Sequence, residues 1–156
     1  MDAYTLLKVA HVIGATVLLG TGAGIAFFML MAHRTGDPAL IAHTAAVVVR
    51  ADAVFTTSAV VLQPLTGAAL AHLAGFPLAS GWIGLSLLLY LAVGALWLPV
   101  LWMQARMRDL AREAAHDGGP LPHAYHRLFR AWFACGVPAF AIVVAIVWLM
   151  LAKPQL

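Results

Sequence analysis

The sequence predicts an all-α, polytopic membrane protein, a bundle of four transmembrane helices in a single domain spanning residues 1–156. Three observations carry this. Of 156 residues, 63% are hydrophobic and only 10% charged. The mean hydropathy, +0.94, is beyond what a water-facing surface permits. Four apolar stretches each reach the roughly 20 residues that a spanning helix needs.

The first stretch runs over residues 4–31. Met1, Asp2, Ala3 and Tyr4 supply no basic n-region, and the apolar run exceeds a signal-peptide core, so a mature transmembrane helix is expected. His33 to Pro38 is a polar turn punctuated by Gly36 and Pro38. The second stretch covers 45–73 and is most apolar after Asp52. Residues 75–81 form a short uncharged connection. The third stretch covers 82–104. A helical extension should follow from Arg106, with Asp109 and Glu113 placed to pair with neighbouring arginines, until Gly118, Gly119 and Pro120 break it. The fourth stretch covers 131–151.

Lys and Arg are unevenly divided. Arg34, Arg50, Arg106, Arg108, Arg112, Arg127 and Arg130 flank the first and third connections; Lys8 and Lys153 lie at the other end. Seven against two predicts both connections in the cytoplasm and the termini on the non-cytoplasmic side of a bacterial inner membrane. The net charge of +3 belongs to these loops, and no nucleic acid is expected as a partner. The lipid bilayer is. One cysteine, Cys135, excludes an intramolecular disulfide and a cysteine metal cluster. Small residues recur four apart at Ala10 and Gly14, Gly20 and Gly24, and Ala131, Cys135 and Ala139. Such faces let helix backbones approach in lipid. They serve bundle packing, a homodimer or a membrane partner subunit.

Polar groups inside the spans are costly and mark functional candidates. His11 lies about 10 Å below the start of the first helix, with Lys8 near the interface. His72 closes the second helix at the same end, where Trp82 and Trp148 also sit. Imidazole is the usual haem ligand, and bundles hold cofactors between facing helices. His11 is thus a candidate axial ligand for a b-type haem or porphyrin, with His72, a Met or a Lys as the second. The alternative is a histidine that only bonds a neighbouring helix. Toward the opposite end stand Arg50, Asp52, Gln104, Arg106 and Arg130. Residues two apart on a helix do not face each other, so Asp52 should pair across helices with Arg106 or Arg130. That pair is either a structural clamp or part of a substrate or proton pathway. In the middle, Pro64 should free the carbonyl of Val60, Thr66 should bond back to Leu62, and Gln63 must find a partner. Trp97 and Pro99 add to this polar, kinked waist.

Hydrolytic chemistry finds no support. Ser58, Ser80 and Ser86 lack a Gly-x-Ser-x-Gly context, and there is no phosphate loop. His116, His123 and His126 with Tyr125 lie in the polar third connection, where solvation explains them.

Several runs carry a family resemblance: Leu7-Lys8-Val9-Ala10-His11-Val12-Ile13-Gly14, Arg50-Ala51-Asp52-Ala53-Val54-Phe55, Gln63-Pro64-Leu65-Thr66-Gly67, Trp97-Leu98-Pro99-Val100 and Arg106-Met107-Arg108-Asp109-Leu110. Together they resemble a bacterial family of small predicted integral membrane proteins of no assigned function. More distantly, the Leu-Lys-x-x-His start is similar to HemJ-type protoporphyrinogen oxidases and to the membrane part of CopD proteins. That likeness implies haem binding through His11. The HemJ-type third-helix lysine would fall near Ser86, and this chain has no lysine in its third span. Two functions are therefore expected as alternatives: a redox protein with haem b, or a cofactor-free ion or small-molecule permeation element or partner subunit built on Asp52, Gln63 and Arg106.

Overall fold

The computed structural model describes residues 2–79 and 81–155; Ser80 lies outside them. Asp2 starts the first helix by accepting from the Thr5 amide at 2.8 Å, which satisfies one of the unpaired donors at a helix N-terminus. Helix α1 then runs over Ala3–Thr35. Gly36 adopts φ 67° and closes it, a conformation that glycine enters without strain. Asp37 immediately caps the next helix through the amides of Ala39 and Leu40, with Pro38 in its first turn. Proline fits there because that amide has no helical partner.

Helix α2 (Pro38–Ala51), a π-helical turn (Asp52–Thr56) and α3 (Thr57–Leu73) form one continuous rod. The Thr57 amide reaches back five residues to the Asp52 carbonyl, and the Thr57 hydroxyl donates to the same oxygen at 3.0 Å. Helix α4 spans Gly81–Asp117 and ends at Gly118, φ 64°. Helix α5 spans His123–Ala152 and stops at Lys153, in the left-handed region, just before Pro154. The four membrane-length helices hold 33, 36, 37 and 30 residues. At 1.5 Å per residue these are roughly 45–55 Å long, so each projects well past a hydrocarbon core of about 30 Å. The polar ends continue the helices, which is why all four exceed the apolar stretches read from the sequence.

The apolar residues of most helix faces are exposed, up to 80% for Leu151. In a water-soluble fold this would be untenable; here it is the surface that meets lipid. The packed core lies in the half away from the termini. Met29, Ile41, Ala45, Met107, Ala111 and Tyr125 are wholly excluded from solvent. Helix α4 packs mainly on α5 and α2, and α1 on α3 and α2, whereas α3 touches α4 and α5 only sparsely. The rod and α4 therefore diverge beyond the π turn.

The small-residue faces are used unequally. A Cβ on Gly14 would stand 3.3 Å from Gln63 Cδ, and one on Gly67 3.2 Å from His11 Cε1. At both glycines α1 and α3 approach closely enough that an added Cβ would press on the facing side chain. Gly20 has no atom within 4 Å of a Cβ position, and Gly24 meets only Phe28 of its own helix.

Candidate functional site

Buried polar groups line the seam between the rod and α4 near Asp52, and Gln63 lies further along the rod, against α1 at Gly14. On the rod, Asp52, Thr56, Ala59 and Gln63 are all buried, and their 4-3-4 spacing puts them on one face. On α4, Tyr90, Trp97 and Gln104 recur every seven residues and share a face in turn. Asp52 is 3% exposed and Gln104 1%.

The side chains of Thr56, Gln104 and Trp97 stand near enough to Asp52 to bond its carboxyl. The buried atoms Thr56 Oγ1 and Trp97 Nε1 nevertheless make no hydrogen bond of ordinary geometry. The contacts are approaches rather than well-aligned bonds. Gln104 Oε1 and Gln63 Oε1 are also buried without partners.

The expected ion pair of Asp52 with Arg106 or Arg130 is not formed. Gln104 and Arg106 are two residues apart on α4. Since Gln104 faces the seam, Arg106 is turned to the outside of the bundle, where it meets Glu113 at 3.7 Å with both side chains largely exposed. Arg130 is exposed. Arg50 is exposed too and donates through Nε to the Ala46 carbonyl at 3.2 Å. Asp109 pairs with its neighbour Arg108 at 2.8 Å. That guanidinium holds the Asp109 carboxyl below the usual range.

A second polar cluster joins α1 to α3. Thr66 donates its hydroxyl to the Leu62 carbonyl at 2.8 Å, as the sequence predicted. Its oxygen then accepts from His11 Nδ1–H, also at 2.8 Å. The neutral imidazole is thereby assigned its Nδ1–H tautomer, which leaves Nε2 with a free lone pair. Gln63 donates to the His11 carbonyl at 3.1 Å. His72 is not part of this cluster. It is exposed and lies six residues past Thr66, about 9 Å further along the helix. Ser86 is buried, with its hydroxyl given to the Trp82 carbonyl at 2.7 Å.

Between the two clusters, the Val60 carbonyl freed by Pro64 accepts the Tyr90 hydroxyl. Tyr90, Thr56 and the role of Gln104 were not anticipated. The heptad recurrence of polar residues along α4 is the signal that could have found them. Among the described residues, no cluster of three or more His, Cys, Asp or Glu could hold a metal ion.

At the end away from the termini, His33 stacks on Phe129 with centroids 3.7 Å apart. Tyr125 meets His33 Nδ1 at 3.3 Å, and burial pushes the Tyr125 hydroxyl up to about 12. The phenol therefore stays protonated at neutral pH.

These features define a polytopic α-helical membrane protein with polar clusters buried within its spans. The chain matches the family described as "Predicted integral membrane protein (DUF2269)" over residues 5–154 and belongs to it. No curated protein matches the sequence. No solved structure matches it either. The more distant likeness to HemJ-type and CopD proteins is not shown by these comparisons.

Proposed function

We propose that this protein is a cofactor-free membrane component that binds and releases a proton at Asp52, in the service of ion or small-molecule movement. The observation that carries the reading is the environment of that carboxyl. It is buried, has no cationic partner among the described residues, and three neutral side chains converge on it. An arginine would lock the acid in its ionised form. Neutral donors soften the cost of the charge without abolishing it, so both protonation states are within reach. The π turn that carries Asp52 fits the same reading, because such turns recur at functional sites. Proton-coupled movement draws on an energised membrane, and the bacterial inner membrane expected from the Lys/Arg distribution fits that role.

The test uses proteoliposomes loaded with a pH-sensitive dye. Wild type should carry protons into the vesicles when a potential is imposed. Asp52→Asn should abolish this, and Asp52→Glu should retain part of it. Flux equal to that of protein-free vesicles would sink the reading.

A second reading rests on the His11 tautomer. Histidine ligands of metals usually donate their other ring N–H to a fixed partner, and His11 does so to Thr66. This favours a haem b or porphyrin ligand at Nε2, although His72 is too far along α3 to complete the pair. Absorption spectra of the purified protein, oxidised and then reduced with dithionite, decide it. A Soret band that shifts on reduction and is lost in His11→Ala would establish haem. A featureless spectrum would retire it.

A further inference from the structure

We infer that Gln104 is the positioning residue of the Asp52 site: its side-chain amide donates an N–H to the carboxylate and, turned over, accepts from the carboxylic acid. The inference rests on Asp52 exchanging a proton, and it names the group that lets both states of the acid persist in a closed site.

The argument is an inventory of donors and acceptors. Asp52 is buried on the π turn, and Gln104 is buried on α4. Thr56, Gln104 and Trp97 all face the carboxyl as donors. An ionised carboxylate only accepts, whereas a carboxylic acid must also place its own O–H. A buried donor without an acceptor costs more than an average hydrogen bond contributes, so the acid needs one acceptor nearby. Trp97 Nε1–H can only donate. The Thr56 hydroxyl is committed as well. A helical threonine commonly bonds back to the carbonyl four residues earlier, which here is that of Asp52. That oxygen already takes the Thr57 amide and the Thr57 hydroxyl, so Thr56 is left to donate to the carboxyl. The amide oxygen of Gln104 remains. It is buried and has no donor. Half a turn about the last side-chain bond exchanges Nε2 and Oε1 at the acid. In each setting one amide atom serves Asp52 and the other stands idle, so Gln104 holds either protonation state without favouring one.

No charged side chain takes this part. Between His11 and His33, α1 has no titratable side chain, and α4 has none between Tyr90 and Arg106. The rod has none between Asp52 and His72, and helix α5 has only Cys135 between Arg130 and its end. Arg50 is exposed and bonded to the Ala46 carbonyl, and Arg106 meets Glu113 instead.

Infrared difference spectra of the full chain in liposomes, recorded across a pH titration, test the role. A protonated Asp52 gives a carboxyl band that is absent in Asp52→Asn. The glutamines of the chain are Gln63, Gln104 and Gln155, and carbon-13 in their side-chain carbonyls marks their bands. In the wild type a glutamine band should shift in step with the Asp52 band. The shift should persist in Gln63→Leu and be lost in Asp52→Asn and Gln104→Met. Trp97→Phe removes a donor that serves the carboxylate alone, so the pH at which the Asp52 band is half formed should rise by about one unit or more. Gln104→Met removes a partner of both states and should move it by less than about half a unit. An Asp52 band in the wild type with no accompanying glutamine shift would overturn the role, and this arm stands even if Gln104→Met fails to fold. A midpoint moved as far in Gln104→Met as in Trp97→Phe would overturn it too, because Gln104 would then serve the carboxylate only. No Asp52 band at any pH would instead overturn the proton-exchange reading beneath it.

Discussion

His11 and Gly67 show how closely single residues are matched in the α1–α3 contact. The imidazole lies over the glycine, and a Cβ there would come within 3.2 Å of Cε1. Alanine is favoured over glycine in a helix by about 1 kcal/mol. Overpacking costs about 1–3 kcal/mol. Gly67→Ala should therefore be neutral to destabilising in the wild-type background. In His11→Ala the clash is gone, and the same change should stabilise by about 1 kcal/mol. Unfolding in mixed micelles measures all four members of this cycle. Additive effects would show that His11 does not pack as described. The result is independent of any cofactor, so it separates the structural role of His11 from a ligand role.

Within the rod, a proline and its answer on α4 form one unit. Pro64 has no amide to offer the Val60 carbonyl. Tyr90 donates its hydroxyl there instead. Tyr90→Phe should cost roughly 0.6–1.7 kcal/mol, the range for interhelical hydrogen bonds in membranes. In a Pro64→Ala background the amide of residue 64 can take that carbonyl, and Tyr90→Phe should then cost little. A full cost in both backgrounds would mean that the hydroxyl matters for another reason. This bond crosses the gap where α3 and α4 otherwise hardly touch, so its loss should also loosen the seam between them.

At the scale of the whole molecule, the bundle is tight in one half and open in the other, and the tight half carries a pH-sensitive joint. Burial, and then the nearby His126, hold His33 below its ordinary value of 6.5. Its neutral form bonds Tyr125 and lies against Phe129. The folded state thus binds this proton less readily than the unfolded chain. The stabilisation is complete above about pH 6.5 and is lost as the pH falls through the lower, folded value. Thermal unfolding at descending pH should show that loss. His33→Phe preserves a ring against Phe129 and should remove this part of the slope. An unchanged slope in His33→Phe would assign the acid sensitivity elsewhere.

Much of this architecture is written in the chain itself. Apolar runs long enough to cross a bilayer set four helices, because backbone polar groups in lipid must be satisfied within the helix. Asp37 and Pro38, and Gly118 with Pro120, mark the turns by local chemistry alone. The bonds of Thr66 to Leu62 and the freed carbonyl of Val60 were also legible, since both arise within one turn of helix. The partner of Asp52 was not. Depth along the membrane suggested Arg106, but depth carries no information on azimuth. Two residues of α4, about 200° apart in rotation, place Gln104 inside and Arg106 outside. Likewise, depth grouped His11 with His72, while packing joined His11 to Thr66. Position along a helix follows from counting residues. Which faces meet follows only from how the helices pack together, and that decided where the buried acid sits and what surrounds it.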